Sequence, residues 1–284
     1  MTAAKKQHIL VIGVDGCRHD SLLAARTPTL DELAARGFLV PVRVDHRNPT
    51  ISGPVWSTVA SGVYSDLHGI RDNQLGGHRL EEYPDFLRRV RELIPGATTF
   101  AAAAWGPLVT ESAGGPVFAP GGYRPGLPVD SEEGDLETIE VMDEAVTSRV
   151  ARVLLHEAPT VTFAYLLLVD MVGHHEGVTP RYQEAIERCD QQIGVMLAAI
   201  EQRPTRSEED WTVIVLTDHG HRDAGHHGGD SDEERTAWMC AAGPGIGGPG
   251  QRRDVDHADV HPHILSLLGI EPEPSWGLVG SPLG

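Results

Sequence analysis

The chain has 284 residues, of which 40% are hydrophobic; that is enough for a buried core, and with no linker, repeat or low-complexity block it predicts one domain over residues 1–284 with a small cap made from inserts. Forty-one acidic against 23 basic residues give a formal net charge of −18, which argues against a nucleic-acid polymer or an anionic membrane as partner, because the long-range field repels both. Three scattered cysteines (Cys17, Cys189, Cys240) form no disulfide framework, and a short polar start without a membrane-length apolar run predicts a cytoplasmic protein.

In chain order, His8 to Val14 reads as a buried parallel strand ending in Asp15-Gly16. Thr27 to Gly37 reads as a helix, with proline early, acids in its first turn and glycine after its end. Phe38 to Val44 is a second strand. Pro54 to Ser61 is a helix, preceded by Asn48-Pro49-Thr50-Ile51-Ser52-Gly53. Tyr83 to Leu93 is helical, Thr98 to Ala104 a strand, and the Gly- and Pro-rich stretch from Gly114 to Gly134 a surface loop near the mouth of a site. Leu136 to Glu157 is a long helix, and Thr160 to Val169 a central strand followed by Asp170. Thr179 to Arg203 is another long helix, and Trp211 to Leu216 a central strand followed by Thr217-Asp218. Thr236 to Ala242 is a strand and Asp259 to Leu268 a final helix. The alternation predicts an α/β fold with a mostly parallel central sheet sandwiched by helices. Ligands of such sheets bind outside the carboxyl ends of the strands, where Asp15, Asp170 and Asp218 all fall.

These ends carry the chemistry. An aspartate on a rigid strand end can present its carboxylate to a metal, although Asp15-Gly16 alone also reads as a plain turn. Asp170 and His174, four positions apart, face one metal if the turn between them is tight, and Gly173 permits that; otherwise Asp170 caps a helix and His174 is incidental. Asp218-His219 is the most specific pair, because an adjacent acid and imidazole after a buried strand have no packing purpose. His227, in Gly225-His226-His227-Gly228, lies in a loop able to fold over the site or to remain solvated. Ser52 stands at a helix start, where the dipole favours an anion. By itself the fragment suits a helix cap better than a nucleophile, with Thr50 able to fill either role; the surrounding carboxylates and imidazoles favour the nucleophile. Together the fragments suffice for two divalent metals plus an attacking hydroxyl, and so for hydrolysis at phosphorus or a related tetrahedral centre.

The joint order of these motifs resembles the alkaline phosphatase superfamily over nearly the whole chain. It runs from Asp15-Gly16 through Thr27-Pro28-Thr29-Leu30, Pro49-Thr50-Ile51-Ser52-Gly53-Pro54, Ser61-Gly62-Val63-Tyr64, Asp170-x-x-x-His174 and Asp218-His219-Gly220 to His227-Gly228. Within it the sequence is most similar to the type I phosphodiesterase/nucleotide pyrophosphatase branch, with sulfatases as further relatives. The resemblance implies two zinc ions per chain, ahead of Mn2+ or Mg2+. One would be held by Asp15, Ser52, Asp218 and His219; the other by Asp170, His174 and His227, with His226 as the alternative to His227. It implies Ser52 as nucleophile, a phosphoseryl intermediate and a small anionic phosphate-containing substrate, either a phosphodiester or a phosphomonoester.

Two departures stand out. Relatives often place Asn-His after the proline, with the Asn steadying a phosphoryl oxygen, whereas this chain has Val55-Trp56; Arg18, Asn73 or the Ser52 and Gly53 backbone N–H groups are the candidate replacements. Sulfatases need Pro-x-Arg after their nucleophile, and Pro54-Val55-Trp56 lacks the arginine, which ranks a sulfatase below a phosphohydrolase. A phosphonate hydrolase and a silent metal-binding relative are the remaining alternatives. Trp56, Tyr64, Trp105 and Tyr123 either stack on a base or aryl group at the mouth or fill the core.

Overall fold

The computed structural model describes residues 5–127, 134–248 and 254–284. Among these, strands β1 (Lys6–Val14), β2 (Phe38–Arg43), β3 (Thr99–Ala103), β4 (Val161–Leu166), β5 (Glu209–Leu216) and β6 (Thr236–Ala242) form one sheet in the order β2-β6-β5-β1-β4-β3. β1 pairs in parallel with both β4 and β5, and β3 in parallel with β4. β6 alone runs against its neighbours, and β2 pairs antiparallel with it. The mostly parallel sheet expected from the alternating pattern is therefore present.

Burial explains the order. Ile9, Leu10, Val11 and Ile12 are fully buried, as a central strand covered on both faces requires. β2 contains Pro41, which cannot donate to a ladder and is tolerated because β2 is paired on one side only. The helices are α1 (His19–Ala24), α2 (Pro28–Arg36), α3 (Ser52–Ser61), α4 (Ser65–His68), α5 (Phe86–Leu93), α6 (Leu136–His156), α7 (Leu168–Glu176), α8 (Pro180–Glu201), α9 (Asp232–Arg235) and α10 (Val260–Leu267). α8 begins on Pro180, whose fixed φ suits the first helical position, and buries Tyr182, Ala185, Ile186, Cys189, Ile193 and Met196 at three- to four-residue spacing. It packs with α1, α2, α6 and α7. α3, α5 and α10 form a second group, in which α3 lays Trp56 against Gly13, Phe163 and Tyr165.

Two local expectations need correction. Asp170 does not end a strand: β4 stops at Leu166 and α7 starts at Leu168, so Asp170 lies in the first turn of a helix. The apolar run Leu166-Leu167-Leu168-Val169 is buried in either state, and periodicity cannot separate the two. The segment 114–134 is not simply loop, since Tyr123 bridges to Ala102 beside β3; residues 128–133 of it lie outside the described residues. No helix among the described residues is long and apolar enough to cross a membrane.

Candidate metal and nucleophile site

β1 and β5, adjacent and parallel, deliver Asp15 and Asp218 side by side at their carboxyl ends. The turn after β1 needs the positive φ of Gly16 (+62°), which only glycine adopts without strain. Gly16 N–H then donates to Asp218 Oδ1 at 3.0 Å, and Cys17 N–H to Thr217 Oγ1 at 2.9 Å, so one strand end holds the other.

Asp15 is fully buried and has one oxygen occupied. Trp56 Nε1 donates to its Oδ2 at 2.9 Å, and the Tyr165 hydroxyl donates to the same atom. Burial keeps the Tyr165 phenol protonated and hence a donor. Asp15 Oδ1 is left facing Ser52 Oγ at 3.4 Å and His219 Nε2 at 3.8 Å. Ser52 is the first residue of α3. The cap position is Ile51 and carries no side-chain cap, so the Ser52 hydroxyl does not cap its helix but turns to Asp15 and to His219 Nε2, 3.5 Å away. His219 Nδ1 lies 3.1 Å from Gly220 O, which assigns its proton to Nδ1 and leaves the Nε2 lone pair facing Ser52.

α7 places Asp170 and His174 one turn apart, with His174 Nε2 3.4 Å from Asp170 Oδ2. The helix itself brings them together, so Gly173 is not needed for a tight turn. His227 completes the group: its Nε2 is 3.0 Å from His174 Nε2 and 3.6 Å from Asp170 Oδ1, while its Nδ1 donates to Thr50 O at 2.7 Å. Thr50 Oγ1 also donates to Gly229 O and accepts from Gly228 N–H, lacing the loop before Ser52 to the loop that carries His227. His226 is exposed and meets His174 on its other nitrogen, Nδ1 to Nδ1 at 3.1 Å. The two groups share a wall, since the His219 and His227 rings stack at 3.8 Å. Asp170, His174, His221 and His227 bring ligand-type atoms within 4.8 Å of one another, as do Asp15, Asp170 and His219. His221 is the member that reading the sequence passed over.

The electrostatics show what this cluster lacks. Burial, then the charges of Asp218 and Asp170, push the Asp15 carboxyl well above its ordinary range; burial, then Asp170, does the same to Asp218. Burial pushes Asp170 upward too, but hydrogen bonds from His174 and His221 and the imidazoles around it outweigh that and hold it well below. The hydrogen bond to Asp170 raises His174, while burial lowers His219 and His227, favouring neutral rings. Asp218 Oδ2 is buried and accepts no hydrogen bond among the described residues. Three buried carboxylates, the neutral rings of His219 and His227 and an orphaned oxygen fit divalent cations, and a mixed Asp/His donor set is of the zinc type.

The candidate substrate donors fare differently. The Arg18 guanidinium is engaged by Asp20 and Asp223, each at 2.5 Å, so it is not available as placed. Gly53 N–H donates to Asn73 Oδ1 at 2.8 Å. That bond commits the Asn73 oxygen and leaves its Nδ2 hydrogens as what the exposed Asn73 offers a ligand. Trp56 and Tyr64 are buried, the first bound to Asp15 and the second beneath the Arg47 guanidinium at 3.7 Å; Trp105 and Tyr123 are half-buried.

A family profile described as type I phosphodiesterase / nucleotide pyrophosphatase matches residues 9–233. An uncharacterized pyrophosphatase/phosphodiesterase of Schizosaccharomyces pombe is 27% identical over 229 residues, covering 75% of this chain and 44% of its own length. The chain thus spans less than half of that relative. Among solved structures, a putative sulfatase from Bacteroides thetaiotaomicron superposes with a TM-score of 0.76 at 15% identity, over 98% of this chain and 74% of its own. Murine ectonucleotide pyrophosphatase / phosphodiesterase 5 superposes with a TM-score of 0.64 at 17% identity, over 94% of this chain and 96% of its own. These likenesses show an alkaline phosphatase-like fold.

Proposed function

The chain belongs to the type I phosphodiesterase / nucleotide pyrophosphatase family, and from that premise we propose that it hydrolyses a phosphoric ester of a small molecule, with Ser52 as nucleophile in a two-zinc site. The observation that carries this reading is the placement of Ser52 Oγ at a helix start, 3.4 Å from Asp15 Oδ1 and 3.5 Å from His219 Nε2. Asp15, Ser52, Asp218 and His219 would hold one zinc; Asp170, His174 and His227 would hold the other. When bound, the two cations would offset the buried carboxylates, favour loss of the serine proton and neutralise charge on the phosphoryl oxygens, as two-metal sites do.

The chain's own groups supply the rest. Ser52 Oγ gives its proton to solvent and attacks phosphorus, forming a serine–phosphorus ester bond as the bond to the leaving oxygen breaks, and the departing alkoxide takes a proton back from water. Water then cleaves the phosphoserine, restoring the hydroxyl. Asn73 Nδ2 and the Ser52 N–H, which belongs to the first turn of α3, would hold a phosphoryl oxygen. The substrate is a small phosphate-bearing anion: the net charge of −18 disfavours long polyanions, while two dications invert the field locally.

The test is removal of divalent ions and their return one at a time. Activity is then measured on p-nitrophenyl phosphate, bis-p-nitrophenyl phosphate, p-nitrophenyl phenylphosphonate and p-nitrophenyl sulfate. Zn2+ is expected to restore hydrolysis of a phosphate ester, with metal analysis giving about two zinc per chain. Full activity in excess chelator would defeat the reading, and a preference for the sulfate or the phosphonate would reassign the substrate.

A further inference from the structure

We propose that His221 is a positioning residue of the second metal set: its Nε2–H fixes Asp170 so that Oδ2 is the oxygen presented to the cation. This rests on reading the cluster as a metal centre. His221 Nε2 lies 2.8 Å from Asp170 Oδ1, while Asp170 Oδ2 is left towards His174 Nε2. The His221 ring is wholly buried, and its Nδ1 has no hydrogen-bond partner among the described residues. The one polar contact that orients this ring is therefore the one to Asp170.

The chain makes room for it. A Cβ on Gly16 would come within 2.5 Å of Asp170 Oδ1 and 2.7 Å of His221 Nε2. A Cβ on Gly173 would sit 2.8 Å from both Cε1 and Nε2 of the His221 ring. Gly173 stands inside α7, where glycine costs helix stability, so the packing of His221 accounts for it better than the helix does. The Tyr182 ring stands edge-on at 6.0 Å, and Arg18 Nη1 donates to His221 O at 3.3 Å, which fixes the backbone. Asp170 resembles Asp15 and Asp218 in that a donor from another segment engages one of its oxygens, while its second oxygen faces His174. Outer donors of this kind set the orientation and affinity of metal ligands.

The experiment uses the full-length protein stripped of metal and loaded with Co2+ or Zn2+, with affinity read by chelator competition and Co2+ coordination by its visible spectrum. His221→Leu removes the donor and is expected to weaken one of the two metal equivalents about 10- to 100-fold. His221→Gln keeps an N–H of similar reach and is expected to bind within a few-fold of wild type, with an unchanged Co2+ spectrum. Gly173→Ala is expected to lower metal affinity by displacing the ring and, because its Cβ presses on a buried side chain, to lower the melting temperature of the metal-free protein as well. Affinity kept in His221→Gln and lost in His221→Leu is what separates positioning from a folding role. Wild-type affinity in His221→Leu would overturn the proposal. So would a His221→Gln spectrum showing loss of a nitrogen ligand, because His221 would then bind the cation itself. If wild-type protein binds neither Co2+ nor Zn2+, it is the metal-centre reading that has failed.

Discussion

The two ends of the central sheet treat buried acid in opposite ways. At the amino end of β5, Glu209 is buried and answered within the chain: Arg203 donates to both its oxygens at 2.7–3.0 Å, Thr205 Oγ1 at 2.7 Å and Trp211 Nε1 at 2.8 Å. The Arg203 hydrogen bonds bring its carboxyl down to about 2. At the carboxyl end, Asp15, Asp170 and Asp218 are equally buried, and the nearby Arg18 is spent on Asp20 and Asp223. One end balances its charge with arginine and gains stability. The other leaves a deficit of positive charge beside a hydroxyl, which is what a cation-binding catalytic site requires.

The contrast breaks most sharply at Ser52. Ser52→Ala is expected to lower turnover of the best ester substrate at least ~10^3-fold, leaving the circular dichroism spectrum unchanged and most of the metal bound, because the other ligands remain. Hydrolysis near the wild-type rate would move the attacking role to another group.

Next comes Glu209→Gln, the counterpart at the quiet end. The folded carboxyl lies at about 2, below its unfolded value of 4.5. Its contribution is therefore complete above pH 4.5 and lost as pH falls through about 2. The variant should lose ~3 kcal/mol near pH 7, an order-of-magnitude figure from linkage, and the gap to wild type should shrink as the pH drops below 4.5. Urea melts at a series of pH values measure this. Metal content and kcat should not change, and a shift in either would mean that the two ends are coupled.

The smallest effect is expected at Tyr165→Phe, which removes one of two donors to Asp15 Oδ2 and no ring volume. Metal affinity should fall ~10-fold, the lower end of outer-donor effects. A Tyr165→Phe variant with unaltered affinity would show that Trp56 alone holds Asp15. Comparison of that result with His221→Leu tells whether the two metal sets depend equally on their outer donors.

Much of this was legible beforehand. The alternation of apolar runs with helical segments carries the α/β class, and acid after an unbroken apolar strand marks Asp15 and Asp218, since a carboxylate there is costly without a partner. Asp170 lies in α7 and not at the expected strand end; an all-apolar approach looks alike in a buried strand and a buried helix start. Ser52 on its fragment alone reads more readily as a cap. Only its placement inside the first turn, facing Asp15, separates the roles. His221 stood in view in Thr217-Asp218-His219-Gly220-His221 with nothing local to mark it, because its contact with Asp170 spans 51 residues.

The sequence by itself determined which groups exist and that strand ends carry Asp15 and Asp218, because burial periodicity and charge cost are local properties of the chain. The tertiary structure alone decided which oxygen of each aspartate is free and why Gly173 lacks a side chain. It also placed Trp56, where relatives often carry the His of Asn-His, as a donor to Asp15. Those outcomes depend on where α3, α7 and the loop after β5 meet, and hydrogen-bond direction between distant segments leaves no periodic trace in a sequence.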